Sequence, residues 1–171
     1  MRILGLAGWS GSGKTTLVTR LVPVLVARGI TVSTVKHAHH EFDIDQPGKD
    51  SWKHRQAGAS EVLISSARRW ALMHEHRGIR EPGLDALLGH MSPVDLVLIE
   101  GFKRETCPKI EIHRPSLGKP LMCDDDPDIV AVASDVPVPG LHLPRLPLDD
   151  AGAIADFIVA HCCLDIVHGT A

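Results

Sequence analysis

Gly8-Trp9-Ser10-Gly11-Ser12-Gly13-Lys14-Thr15 spells G-x-x-x-x-G-K-[ST] and lies between a short apolar run and an amphipathic one. A bound polyphosphate demands that spelling. Backbone N–H groups must converge on phosphate oxygens, and only glycines let the chain turn so tightly and approach so closely. Lys14 adds a point charge between the β and γ phosphates, and the hydroxyl of Thr15 is placed to ligate Mg²⁺. The start of the following helix turns the positive end of its dipole toward the same anion. Gly8, Ser10, Gly11, Ser12, Gly13, Lys14, Thr15 and Thr16 are therefore the expected nucleotide-binding residues.

On either side of the loop, runs rich in Val, Ile and Leu alternate with amphipathic segments, as expected of strands buried on both faces with crossover helices between them. The pattern predicts strands over 3–7, 31–35, 94–99, 109–113 and 129–133. Helices are predicted over 14–28, closed by Gly29 and bent by Pro23, and over 50–56, 83–90 and 149–161. Two further strands, 61–65 and 70–74, flank the turn Ala67-Arg68-Arg69 and should pair as a hairpin. The proline-dense stretch 137–147 has neither period and is expected to be irregular surface chain. The fold class is α/β: a P-loop NTPase with a mostly parallel twisted sheet flanked by helices and a β-hairpin extension. A single domain is expected over 1–163, with a frayed tail over 164–171.

The bulk numbers exclude other classes. With 171 residues, 44% hydrophobic and 23% charged, the chain is no disordered polymer, and a net charge of −3 supplies no basic field for nucleic acid. No apolar stretch approaches the roughly 20 residues of a membrane span. Met1 leads straight into a short apolar segment with no h-region before a cleavage site, so a cytoplasmic protein is expected. Cys107, Cys123, Cys162 and Cys163 form no CxxC pair and no disulfide framework, and are expected to be reduced.

A P-loop site needs an acid near the metal, at the carboxyl end of a neighbouring apolar strand. Asp95-Leu96-Val97-Leu98-Ile99-Glu100 provides Glu100 there, and with Thr15 it is the expected Mg²⁺ contact. Asp95, at the opposite end, is expected to be a solvated strand-start residue.

After the second strand comes Lys36-His37-Ala38-His39-His40, continuing through Asp43 and Asp45 to Lys49 and Asp50, in a loop too long for a simple connector. Zinc is one reading, although structural zinc takes four well-separated ligands and no cysteine lies near. Solvated histidines are a second. The third, carried forward here, is contact with an anion, substrate or partner through Lys36, His37, His39, His40, Lys49, Asp50 and the later Lys103. Asp43 and Asp45 are the catalytic candidates, completing a metal shell or orienting water.

These residues resemble the MobB type of molybdopterin-guanine dinucleotide biosynthesis adaptor protein. The resemblance covers nearly the whole chain and rests on GWSGSGKTTL, on VKHAHHEFDIDQPGKDS, on Ala57-Gly58-Ala59 and on LVLIEGFK ending at Lys103. It implies GTP binding with weak hydrolysis, a homodimer, and cooperation with the guanylyltransferase of the molybdenum cofactor, which acts on molybdopterin to give its dinucleotide. By position, Gly11 to Thr16 would hold GTP phosphates, Glu100 would serve Mg²⁺, and the lysine-histidine-aspartate loop would face nucleotide or pterin. The hairpin is a candidate for the dimer interface. No N/T-K-x-D element reads guanine; Asp135, after the strand ending at Ala133, is the candidate, a plain turn aspartate its alternative. Trp9 stands where a lysine would mark ATPases that act in trans, so that subclass is not expected. The competing function is a P-loop small-molecule kinase, with Arg68, Arg69, Arg77 and Arg80 as an anionic lid and Asp43 positioning an acceptor hydroxyl. A binding or scaffold module is the third possibility.

Overall fold

A computed structural model describes residues 1–38, 42–102 and 105–165. The chain divides into two compact units, Met1–His37 with Ser92 onward, and Ala38–Met91. The first opens with β1 (Arg2–Ala7), α1 (Lys14–Ala27) and β2 (Val32–Lys36). The second contains α2 (Asp50–Gln56), β3 (Glu61–Ser65), β4 (Trp70–His74) and α3 (Leu84–Leu88). The first then resumes with β5 (Leu96–Glu100), β6 (Lys109–His113), β7 (Ile129–Ser134), β8 (Arg145–Pro147) and α4 (Ala151–Cys162).

Six strands of the first unit form one sheet in the order β2-β5-β1-β6-β7-β8, and every pairing is parallel. Strand parity decides what each face buries. Leu4, Leu6, Leu96, Leu98, Ile110, Ile112, Ala131 and Ala133 point to one side, where they meet Leu17, Leu21 and Leu25 of α1 and Ile154, Ala155 and Ile158 of α4. The three leucines of α1 recur every four residues, so one stripe of the helix reaches the sheet. Burying each contributes about 1.5–3 kcal/mol. The helix runs through Pro23, an exposed position. Asp150 caps α4 by accepting the amide of Ala153 at 2.9 Å.

The opposite face of β6 is polar yet closed to water. Lys109, Glu111 and His113 are each under 10% exposed. Lys109 pairs with Asp126 (3.0 Å) and Asp128 (3.4 Å). Glu111 accepts the amides of Met122 and Cys123, both at 2.9 Å. The connection from β6 to β7 is thereby fastened over that face by charge-assisted bonds.

Three expectations need correction. The stretch 137–147 is not wholly irregular: Arg145–Pro147 adds to β7 as an edge strand, where a proline lacking its N–H is tolerated. Three residues are too few to show a period. Leu164 is not frayed, because Cys163 takes a left-handed cap conformation, the amide of Leu164 bonds Val159 O at 3.0 Å and its side chain packs on the core. Asp95 is exposed but engaged: its carboxylate accepts the amide (2.8 Å) and hydroxyl (2.6 Å) of Thr31, clasping the starts of β2 and β5. That bonding holds its carboxyl below the usual range.

In the second unit, β3 and β4 form the expected hairpin, with Leu63 opposite Leu72 and Ser65 opposite Trp70. Val62 and Met73 are buried on one face, whereas Leu63, Trp70 and Leu72 are exposed on the other. The predicted helix over 83–90 is shorter, Leu84–Leu88. No helix among the described residues is long and apolar enough to cross a membrane. The four cysteines are free thiols.

Candidate functional site

A parallel sheet delivers all its strand ends to one edge, and here that edge gathers Gly8, His37, Gly101, Arg114 and Asp135. Gly8 leaves β1 at φ 148°, and a Cβ on it would stand 2.7 Å from the carbonyl oxygen of Ile112 in β6 and 2.6 Å from Ser12 Oγ. The first motif glycine is thus fixed by contact with the next strand. Gly13 caps α1 in the left-handed region without any side-chain cap, and no acid occupies the first turn. An uncapped helix start with its dipole unopposed is an anion site. The hydroxyl of Ser12 is turned inward, buried and unpartnered, and its amide donates to Trp9 O at 3.1 Å. Ser10, Gly11, Thr15 and Thr16 are exposed on the loop and first turn.

The ammonium of Lys14 donates to the carbonyls of Gly8 (2.9 Å) and Trp9 (3.0 Å), across the loop that a phosphate would fill. Thr15 donates its hydroxyl to the Glu100 carboxylate at 3.0 and 3.3 Å. Glu100 is placed by register, since β5 sets it beside Leu6 of β1 and Lys36 of β2. Lys36 Nζ lies 3.8 Å from its Oε1. The Glu100 side chain is 16% exposed and that of Lys36 62%, so the lysine is the solvent-side neighbour. A hydroxyl and a carboxylate at a loop that binds phosphate are hard oxygen donors, which fits Mg²⁺. His37 follows at once: its amide bonds Glu100 O at 2.8 Å and its ring lies 4.9 Å from that of Phe102.

Three contacts that no motif names, one from Trp9 and two from Arg114, complete the wall of the loop. Trp9 Nε1 donates to Pro120 O at 2.9 Å. Arg114 donates through Nε to Ser12 O (3.0 Å) and through Nη1 to Asp135 Oδ2 (2.6 Å). Asp135, the expected guanine reader, is therefore committed by one oxygen to an arginine. The strand-end rule that found Glu100 applies equally to Arg114, one residue past β6, and was its available signal.

Other expected site residues lie in the second unit. Asp43, Asp45 and Glu75 surround Arg55 at 2.7, 3.3 and 2.9 Å. The guanidinium holds the Asp43 carboxyl below its usual range. Asp45 also accepts the hydroxyl of Ser51 at 2.8 Å, so neither aspartate is a loose base. Lys49 and Asp50 are exposed at the start of α2, where Asp50 opposes the helix dipole and pairs with Lys53 at 3.3 Å. Arg77, offered as a lid arginine, donates to the carbonyls of Arg55 and Ala59. A cavity of about 660 Å³ in this unit is lined by Phe42, Asp43, Ile44, Arg55, Leu72 and His74 among others. His39, His40 and Lys103 lie outside the described residues. Among the described residues no group of three or more His, Cys, Asp or Glu could hold a metal ion.

A phosphate loop at the carboxyl edge of a parallel sheet, with its threonine on a neighbouring strand's acid, makes this chain a protein of the P-loop NTPase fold. Comparison with known proteins narrows the class. The family model of MobB, molybdopterin guanine dinucleotide synthesis protein B, matches residues 3–135. The chain is 45% identical over 160 residues to the molybdopterin-guanine dinucleotide biosynthesis adapter protein of Escherichia coli strain K12, covering 92% of this chain and 91% of the relative. It is 45% identical over 160 residues to the protein of the same name from Haemophilus influenzae, covering 91% and 86%. A crystal structure of molybdopterin-guanine biosynthesis protein B superposes with a TM-score of 0.72 at 31% identity, over 93% of this chain and 99% of that one. The chain belongs to the MobB family.

Proposed function

We propose that the chain binds Mg²⁺·GTP at the loop from Gly8 to Thr16 and, as an adapter in molybdopterin guanine dinucleotide biosynthesis, supports the molybdenum cofactor guanylyltransferase that converts molybdopterin to its dinucleotide. The adapter role goes with the family; nucleotide, metal and partner are the finer reading. One observation carries it: Thr15 Oγ1 rests 3.0 Å from Glu100 beside a helix start that has no cap of its own. Thr15 and Glu100 would hold the magnesium, which would neutralise charge on the terminal phosphates. Lys14, now on two loop carbonyls, has phosphate oxygens as its alternative partners.

In this reading hydrolysis is slow, because the carboxylates offered as bases, Asp43 and Asp45, are engaged by Arg55. The same engagement, with Arg77 held on carbonyls, occupies two of the parts a small-molecule kinase would use, the acceptor-positioning Asp43 and one of the lid arginines. Residues 1–163, with Leu164 packed on their core, act as one cytoplasmic nucleotide-binding domain in which 38–91 is an insertion. Lys36, His37, Lys49 and Asp50, with His39, His40 and Lys103, serve the pterin or the partner enzyme. The protein works as a homodimer through the apolar hairpin face.

Calorimetry with GTP and magnesium tests the site. Lys14→Ala and Thr15→Ala should abolish binding, and undiminished affinity in either would refute the assignment. Reconstitution of dinucleotide synthesis with the purified transferase tests the role: His37→Ala should bind GTP normally yet support less product.

A further inference from the structure

Arg114 belongs to neither the phosphate-loop motif nor the magnesium pair, yet it touches both the phosphate loop and the turn after β7. Register brings it there. Parallel pairing sets Ala7 of β1 beside Glu111 of β6, so the chain leaving β6 emerges next to the chain leaving β1. The side chain is 33% exposed, and that of Asp135 is 24% exposed. A guanidinium is planar, and two of its nitrogens are occupied by acceptors from different elements: Nε by Ser12 O at 3.0 Å and Nη1 by Asp135 Oδ2 at 2.6 Å. Two fixed acceptors lock the plane. Its Nε and Nη2 stand only 3.7 and 3.6 Å from where a Cβ on Gly13 would be, so the guanidinium packs against the last glycine of the loop.

The consequence follows from peptide geometry. In a planar trans peptide the C=O of one residue and the N–H of the next point in opposite directions, and no peptide among the described residues is cis. Holding Ser12 O against Arg114 therefore aims the amide of Gly13 away from Arg114. We propose that Arg114 is a positioning residue for the bound polyphosphate: it sets the Ser12–Gly13 peptide so that the Gly13 amide serves the anion, and through Asp135 it couples this setting to the base-side turn. The inference rests on the nucleotide reading above. It also revises the role of Asp135, which reaches the phosphates through Arg114 even though it lies too far along the chain to be part of their loop.

The test separates phosphate from base by using two ligands, Mg²⁺·GTP and inorganic magnesium tripolyphosphate, each titrated calorimetrically. Arg114→Ala should weaken both by on the order of tenfold, the loss of one charged hydrogen bond's worth of preorganisation. A loss confined to GTP would move the arginine to the base and overturn the proposal. Arg114→Lys should stay close to Arg114→Ala, since one ammonium cannot span both acceptors; full recovery would make charge alone the cause and equally overturn it. The sharpest arm is Asp135→Asn, which should lower tripolyphosphate affinity severalfold although that ligand has no base to read. Unchanged tripolyphosphate binding there defeats the coupling, and this arm stands even if Arg114→Ala does not fold. Parent protein that binds neither ligand would instead bring down the nucleotide assignment, with this inference included. Parent that binds both, beside an Arg114→Ala that binds equally well, removes only the inference.

Discussion

Gly8 shows how little freedom a phosphate loop leaves to a single atom. Its missing side chain is the space taken by Ile112 O and Ser12 Oγ, at 2.7 and 2.6 Å from an ideal Cβ. A serine can rotate away, but a strand carbonyl cannot, and φ 148° is itself strained for any L side chain. Gly8→Ala should cost about 2 kcal/mol or more and remove Mg²⁺·GTP binding, seen as a lower melting temperature and a flat titration. A second residue-scale expectation concerns thiols. Burial pushes the Cys123 thiol up to about 11, with the Glu111 carboxylate adding to it. At pH 8 roughly one such thiol in a thousand is ionised, and the thiolate is the reacting form. Iodoacetamide should therefore modify exposed Cys163 well before Cys123 in native protein, and equal rates in a mass-spectrometric time course would mean that the Cys123 thiol is not held protonated. At this scale the sequence names Lys14 and Thr15 outright, because their spacing is local. Arg114 and Asp135 are 21 residues apart and meet only because β6 and β7 are neighbours, which no spacing records.

The strands and helices were legible in proportion to how far their own period explains their burial. Residues 14–27 show a leucine every fourth position, and that stripe is the one buried in α1. In β6 the same logic misleads about the environment. Lys109-Ile110-Glu111-Ile112-His113 alternates like a strand with one wet face, yet all five residues are buried. The reason is the 121–128 connection, which folds over the polar face and supplies the partners of Lys109 and Glu111. Glu111 has no exposure and accepts two amides, so truncation strands both donors in a site built to satisfy them. Glu111→Ala should cost about 2–5 kcal/mol, and Glu111→Gln, which keeps one accepting oxygen, distinctly less. Denaturant unfolding of the two variants checks the order; equal midpoints would mean that the carboxylate does not hold the connection.

At the scale of the molecule the unanswered surface is the hairpin. An isolated two-stranded sheet is marginal in water, and β3–β4 shields Val62 and Met73 on one face only. On the other, Leu63, Trp70 and Leu72 are 60%, 63% and 40% exposed, and the pairing of Leu63 with Leu72 and Ser65 with Trp70 puts all three on the same side. Three large apolar side chains in a row on an exposed sheet face are what an association surface looks like. A second copy of the chain is the occupant proposed here, since a twofold interface presents the same patch from both subunits and an apolar face can bury its like. Trp70→Glu places a carboxylate on that face, where a charge desolvated in the contact would have no partner. Sedimentation velocity should show a dimer for the parent and a monomer for this variant, while calorimetry should still find Mg²⁺·GTP bound, because no residue of the phosphate loop lies in the hairpin's unit. A variant that remains dimeric would move the interface elsewhere on the chain, and one that loses the nucleotide along with the partner would show that the phosphate site is completed only in the assembly.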